Sequence, residues 1–126
     1  MAMRMQAPVP ILRIFDVAKA REFYLDFLGF KIKFEHRFGD NFPLYLGVQR
    51  DGCELHLSEH HGDASPGSAL RIAVDDIDGL HAEMRAHDYR YAKPGIEATP
   101  WGTREISVTD PFGNWLHFCA VATTTG

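Results

Sequence analysis

The chain has little cysteine and no long apolar run. Its 126 residues include two cysteines, Cys53 and Cys119, in no metal-ligand pattern. A domain of this length buries roughly two-thirds of its unfolded surface and needs no disulfide, so we expect reduced thiols. No stretch of about 18 apolar residues is present, so no transmembrane helix is predicted. Residues 1–16 lack the basic start and apolar run of a secretory signal. We therefore expect a cytoplasmic protein without a membrane partner.

The chain also lacks an excess of positive charge. Thirteen Lys and Arg residues stand against 17 Asp and Glu residues, which gives a formal net charge of −4. Proteins that bind nucleic acid usually present a basic face, so nucleic acid is not expected as a partner. Neither a Gly-x-Ser-x-Gly elbow nor a Gly-rich phosphate loop is present. Nucleophilic catalysis and nucleotide binding are therefore not indicated, and no catalytic residue is assigned.

The two halves of the chain repeat one pattern. In each half, an aspartate suited to an N-cap, Asp16 or Asp76, precedes apolar residues at helical spacing. The apolar residues are Val17, Ala20 and Tyr24 in the first half and, 60 positions later, Ile77, Leu80 and Met84 in the second. Gly29, where the first helix is expected to end, suits a left-handed C-terminal residue.

The strand pattern repeats as well. The motif Gly-x-x-Leu-His-apolar occurs at residues 52–57 and again, 61 positions later, at residues 113–118. Alternating stretches predict strands over residues 30–38, 43–49, 53–59, 67–74, 103–109 and 115–121. We predict a single α+β domain, 1–126, of two tandem βαβββ modules that form a curved mixed sheet around a cleft. The modules span about 8–59 and 67–121, and the linker spans 60–66.

Alternation along the strands assigns side chains to two faces. His56 shares its face with Glu54, and His117 shares its face with Trp115. The leucine-bearing faces are expected to pack under the helices. The histidine-bearing faces are then expected to line a small-molecule cleft, with His56 and His117 at equivalent positions.

Aromatic residues near strand ends and on the histidine faces are candidate ligand contacts, because rings stack on flat ligands and attract cations. Trp115 fits either ligand contact or core packing. Trp101, in a Pro-Trp-Gly loop, either folds over the cleft or anchors its turn. Phe38 and Phe42 flank a hairpin turn and form either a cleft rim or a dimer contact. Five other aromatic residues are assigned to the core: Phe23, Tyr24, Phe27, Phe30 and Phe34.

Several segments resemble one known superfamily. The segment Asp16-Val17-Ala18-Lys19-Ala20-Arg21-Glu22-Phe23-Tyr24, followed by Phe27-Leu28-Gly29-Phe30, resembles the first-helix signature of the vicinal oxygen chelate (glyoxalase / bleomycin resistance protein / dioxygenase) superfamily. Asp110-Pro111-Phe112-Gly113-Asn114 resembles its closing motif. Residues 57–63 and the pattern Tyr91-x-x-Pro94-Gly95-Ile96 are more similar to the bleomycin-resistance branch. The resemblance, over nearly all of residues 8–121, implies homodimers that bind a large cationic glycopeptide in clefts at the dimer interface.

The resemblance also supplies a test for a metal centre. Its metalloenzymes carry four metal ligands, and the corresponding positions here are Val9, His56, Ala69 and His117. A catalytic zinc normally has about three protein ligands, and two of these four residues cannot bind metal. We therefore expect no cofactor. His56 and His117 remain weak candidates for a divalent ion such as Zn, Ni or Fe, with Glu54 or Glu105 as a third ligand. Alternatively, the two imidazoles hydrogen-bond a ligand, each other or their neighbours.

The favoured function is non-catalytic sequestration of a bleomycin-type antibiotic in a dimer-interface cleft. The expected ligand-binding residues are Phe38, Phe42, Glu54, His56, Trp101, Trp115 and His117. Acidic residues including Glu54 and Glu105 are expected to attract a cationic ligand. Two alternatives remain: a metal-dependent lyase, isomerase or dioxygenase that uses His56 and His117, and a metabolite-binding module, since a fold does not fix a function.

Overall fold

The computed structural model describes residues 2–37, 39–89 and 94–121. The first module contains β1 (Ile11–Arg13), α1 (Val17–Arg21), β2 (Lys31–Arg37), β3 (Leu44–Arg50) and β4 (Cys53–Ser58). The second contains β5 (Ala69–Ala73), α2 (Ile77–His87), β6 (Glu97–Ala98), β7 (Thr103–Thr109) and β8 (Trp115–Val121). A π-helical segment, Glu22–Phe27, continues α1 directly. The α+β fold of two tandem βαβββ modules, predicted from the repeat, is confirmed.

Each module forms one four-stranded mixed sheet. The strand orders are β1-β4-β3-β2 and β5-β8-β7-β6. In each sheet the first strand runs parallel to the fourth, and the other pairs are antiparallel. The six predicted strands are present, with ends that differ by at most two residues. The strands β1 and β6, of three and two residues, are too short to show an alternating pattern.

The helix boundaries follow the predicted capping residues. The Asp16 carboxylate accepts a hydrogen bond from the Lys19 amide at 3.0 Å, and that of Asp76 accepts one from the Gly79 amide at 2.9 Å. These bonds satisfy amide groups that the first helical turn leaves without a partner. Gly29 has the expected left-handed conformation, with φ +75°.

The core lies between the sheets and the helices and draws on both modules. The stripe residues Ala20, Tyr24, Ile77 and Met84 are buried. They belong to one apolar cluster with the leucine-bearing strand faces, which include Leu55, Leu57, Leu116 and Phe118. The sequence therefore identified correctly which face of β4 and β8 is apolar. Among the described residues, no helix is long and apolar enough to cross a membrane.

A buried polar network, which we call the Asp110 network, joins the modules. The Tyr24 hydroxyl donates to Asp110 Oδ2 at 2.6 Å, and the Asn114 side-chain amide donates to the same atom at 2.8 Å. The Phe112 and Asn114 backbone amides donate to Oδ1 at 2.9 and 2.8 Å. The Asn114 side chain also donates to the Arg13 carbonyl oxygen at 3.0 Å. Burial and the Asp110 carboxylate raise the pKa of Tyr24, so its hydroxyl remains a donor.

One prediction about the core is wrong. Phe34 does not join the core but lies on the opposite face of its sheet, with 36% of its surface exposed. A bulge between Ile32 and Phe34 shifts the register of β2 against β3. Phe34 therefore pairs with Gly47, on the face that points away from the helices, although plain alternation would turn it toward the core.

Candidate functional site

Each sheet has one face that does not pack under the helices, and we call these the first and second open faces. The first is formed by β1–β4 and carries Phe34, Tyr45, Gly47, Glu54 and His56. The second is formed by β5–β8 and carries Arg71, Glu105, Ser107, Trp115 and His117. The predicted equivalence of the two histidines is confirmed by the register, since His56 pairs with Ile11 and Gly47 as His117 pairs with Arg71 and Ser107.

The polar side chains of the first open face form a continuous chain of hydrogen bonds. Lys33 donates to Glu54 Oε1 at 2.7 Å, and Glu54 Oε2 lies 2.8 Å from His56 Nε2. His56 Nδ1 lies 2.7 Å from the Tyr45 hydroxyl. Hydrogen bonds from Lys33 and then His56 lower the pKa of Glu54. Both ring nitrogens of His56 are therefore engaged within the chain.

The Phe34 ring covers Gly47 on the same face. A Cβ atom at residue 47 would overlap the Phe34 ring, so only glycine leaves room for the ring. The ring meets His56 edge-on at 5.1 Å between centroids and lies nearly parallel to Tyr45 at 6.1 Å. The first open face is thus lined with rings and a fixed polar chain.

The second open face is organised by Glu105. Arg71 donates to both Glu105 oxygens, at 2.6 and 3.3 Å, and the Thr103 hydroxyl donates to one at 2.7 Å. Hydrogen bonds from Arg71 and then Thr103 lower the pKa of Glu105 to about 2. The buried carboxylate therefore fixes the guanidinium beside it.

A cavity of about 310 Å³ opens on the second open face. Its walls include Arg71, Glu97, Trp101, Glu105, Ser107 and His117. Its size is at the lower end of the range for small-molecule sites. Trp101 forms one wall and leaves 68% of its surface exposed. A larger cavity, of about 380 Å³, lies beside α2, and its walls include His81, Met84, Arg85 and Tyr89.

Trp115 and His117 stand side by side on the second open face. The Ser107 hydroxyl lies 2.7 Å from His117 Nδ1. The Trp115 and His117 rings are nearly parallel, with centroids 6.0 Å apart. Trp115 is 46% exposed. Of the two roles that the sequence left open for Trp115, core packing is therefore wrong, and the ring is available for contact with a ligand.

The predicted ligand-binding residues fall into two groups. Glu54 and His56 lie on the first open face, whereas Trp101, Trp115 and His117 lie on the second. Phe42 is exposed at the hairpin turn, with its ring over Gly39, and Phe38 lies outside the described residues.

The sequence prediction missed Tyr45 and Arg71 and misassigned Phe34. A signal for Tyr45 was present in the alternation of residues 44–50, which turns its side chain away from the buried Leu44 and Leu46. Arg71 alternates in the same way with Leu70 and Ile72. Both residues therefore belonged on the open faces.

The family's metal positions do not provide a metal centre here. Val9 and Ala69 have no ligating side-chain atom. Both nitrogens of His56 are hydrogen-bonded, and His117 Nδ1 contacts Ser107. Glu105, considered above as a third ligand, is bound by Arg71. Within residues 2–37, 39–89 and 94–121, no three His, Cys, Asp or Glu side chains converge on one point.

The ionised carboxylate of Glu105 makes the stability of the folded protein depend on pH. Its pKa falls from 4.5 to about 2 on folding, so the folded chain binds the carboxylate's proton more weakly than the unfolded chain. The resulting stabilisation is present above pH 4.5 and is lost as the pH falls toward 2. We expect Tm of the native protein to exceed that of Glu105→Gln above pH 4.5, and the gap to narrow between pH 4.5 and 2. Glu97→Gln, on the neighbouring strand, is the control. A gap that stayed constant over this range would contradict the assignment.

Comparison with known proteins finds a matching family model and solved structures with the same fold. A family model described as glyoxalase superfamily protein matches residues 2–124. The bleomycin-binding protein of bleomycin-producing Streptomyces verticillus, solved with copper(II)-bleomycin, is 35% identical, and the match covers 98% of this chain and 100% of that chain with a TM-score of 0.68. No sequence among the curated proteins matches.

Two further solved structures show the same fold. A bleomycin-binding protein complexed with bleomycin is 22% identical over 92% of this chain and 98% of that chain, with a TM-score of 0.71. A bleomycin resistance determinant encoded on the transposon Tn5 is 19% identical over 94% of this chain and 100% of that chain, with a TM-score of 0.72.

Proposed function

This chain belongs to the glyoxalase superfamily, and on that premise we propose that it binds and sequesters a bleomycin-type glycopeptide antibiotic without chemical conversion. The observation that carries the proposal is the full-length similarity, at 35% identity, to a protein solved with copper(II)-bleomycin. The site residues are those of the two open faces and the 310 Å³ cavity.

The exposed indoles support this proposal. Trp101 and Trp115 present large apolar surfaces on the second open face, one of them at the cavity wall. A cavity with an aromatic wall and a few convergent polar groups is typical of a small-molecule site. Flat heteroaromatic groups stack on such rings, and cationic groups are attracted to their faces.

The polar groups support binding rather than catalysis. Glu54 is bound by Lys33 and His56, and Glu105 by Arg71 and Thr103. Carboxylates held in this way orient their neighbours and are poor general bases, because hydrogen bonds to the anion stabilise it.

We also propose that the chain acts as a homodimer, with each cleft completed across the interface. Two apolar residues at the β1 edge of the first open face are exposed in the single chain: Val9 and Ile11. A second copy placed against this edge would remove their surface from water. A stable dimer normally buries about 800 Å² on each partner.

The test is calorimetric titration of metal-stripped, tag-free protein with metal-free bleomycin. We expect saturable binding of one ligand per chain, in a protein that sediments as a dimer. Kanamycin, a cationic antibiotic without aromatic rings, is the control and should bind far more weakly. Absence of bleomycin binding at high micromolar concentration would exclude the antibiotic, and a stoichiometric metal in the tag-free protein would favour the metal-dependent enzyme instead.

A further inference from the structure

The hydrogen-bonded chain on the first open face determines which atom carries each proton. Glu54, His56 and Tyr45 are linked by contacts of 2.8 and 2.7 Å. An ionised carboxylate only accepts hydrogen bonds, so His56 Nε2 must carry a proton. A neutral imidazole has a single N–H, and Nδ1 is therefore an acceptor. It follows that the Tyr45 hydroxyl is the donor in its contact with His56.

This arrangement fixes the role of the Tyr45 oxygen. A phenol has one hydroxyl proton, which Tyr45 donates to His56 Nδ1. Its oxygen lone pairs remain, and among the described residues no donor approaches them. A group that reaches this oxygen from the open face can therefore only donate a hydrogen bond to it.

Two neighbours of Tyr45 further restrict the ligand. Burial, and after it the negative charge of Asp63, raise the pKa of Tyr45, so the field of the Asp63 carboxylate acts on the hydroxyl. That field favours a cation and opposes an anion. The Phe34 ring, inclined by only 13° to that of Tyr45, provides a flat apolar surface beside the oxygen, which suits a planar group.

We propose that Tyr45 is a ligand-binding residue whose oxygen accepts a hydrogen bond from a planar cationic nitrogen group, an amidinium or guanidinium, and that Glu54, acting through His56, is its positioning residue. The inference rests on the proposed function only in assigning small-molecule binding to the open faces. It does not require that ligand to be bleomycin.

The first experiment measures the tautomer without any ligand. Nitrogen NMR of protein labelled at histidine, at pH 8 where an ordinary imidazole is neutral, should show His56 protonated at Nε2 and bare at Nδ1. His56→Gln assigns the signal. Glu54→Ala should convert the signal to a mixture of tautomers. A His56 that is protonated at Nδ1 in the native protein would overturn the proposal.

The second experiment compares two probes of one shape. Benzamidine carries a planar amidinium, whereas benzoate has the same outline but an anionic group that cannot donate. A titration monitored through the NMR signals of tyrosine should show saturable binding of benzamidine. The affinity for benzoate should be at least about ten-fold lower. Tyr45→Phe should weaken benzamidine by about ten-fold, the loss expected for a hydrogen bond to a charged group. Glu54→Ala should also weaken the binding of benzamidine.

The matched control is Tyr89→Phe, which removes a phenol oxygen from a ring stacked on Phe27, on the helical side. It should leave both titrations unchanged. Equal binding of the two probes, no binding of either, or an unaffected Tyr45→Phe would overturn the proposal. If benzamidine binds and bleomycin does not, the antibiotic is rejected as the ligand and the inference stands. If bleomycin binds and benzamidine does not, the antibiotic proposal stands and the inference is overturned.

Discussion

Replacement of Asp110 by alanine is expected to lower the free energy of unfolding by about 4 kcal/mol. The Asp110 network satisfies four donors with one carboxylate: the Tyr24 hydroxyl, the Phe112 amide and two N–H groups of Asn114. Asp110 and Asn114 are buried, so donors that lose the Asp110 carboxylate could not form hydrogen bonds to water instead. Each unsatisfied buried group costs about 1–3 kcal/mol. Urea unfolding followed by circular dichroism measures the loss.

The control for this prediction is Asp78→Ala. Asp78 also makes two hydrogen bonds to a partner, Arg104, at 2.8 and 2.9 Å, but both side chains are exposed. Exposed ion pairs contribute about 0–1 kcal/mol. Losses of similar size in the two variants would show that the Asp110 network does not stabilise the junction between the modules.

Replacement of Trp101 by alanine is expected to weaken bleomycin binding by about 30- to 100-fold, the range of an interface hot spot worth 2 kcal/mol or more. The indole forms a cavity wall and leaves most of its surface exposed, so a ligand in the cavity would remove that surface from water. A tryptophan side chain has only two rotatable χ angles and therefore loses little conformational entropy on binding. Isothermal titration of both proteins with metal-free bleomycin measures the difference.

Trp101→Phe separates the two roles of this side chain. It keeps an aromatic ring for stacking but removes the indole N–H, so we expect a loss of about three-fold, the size of one modest hydrogen bond from the indole to a ligand. Unfolding curves should match the native protein for both variants, because the side chain is mostly exposed. If the affinity of the alanine variant for bleomycin is within three-fold of that of the native protein, bleomycin does not bind in this cavity.

The sequence predicted those features that depend on local spacing. The apolar stripes, the caps at Asp16 and Asp76 and the alternation around His56 and His117 each involve residues a few positions apart. Their physical causes, which are helix geometry, unsatisfied terminal amides and the strand pleat, act within such distances. The repeated modules followed because both halves contain the same local signals.

The features that the sequence did not reveal depend on neighbouring strands. Phe34 left the core because a bulge against β3 changed its face, and a glycine 13 positions later made room for its ring. Arg71 reaches Glu105 because β8 lies between β5 and β7 and brings residues 34 positions apart into contact. Tyr45 meets His56 through the pairing of β3 with β4. Such partners are set by register and strand order, which the pattern within one segment does not contain.

The internal repeat is conserved in the backbone and broken on the open faces. The histidines occupy matching places, but His56 is flanked by Ile11 and Gly47, and His117 by Arg71 and Ser107. The first open face thus presents Phe34 and Tyr45 beside the Lys33–Glu54 pair. The second presents two indoles and a cavity beside the Arg71–Glu105 pair. A long ligand that touches both halves meets different chemistry at each end, so reversing it would exchange favourable contacts for unfavourable ones. A binding surface built from both open faces would therefore have a direction, and a ligand with two identical ends would match only one of its halves.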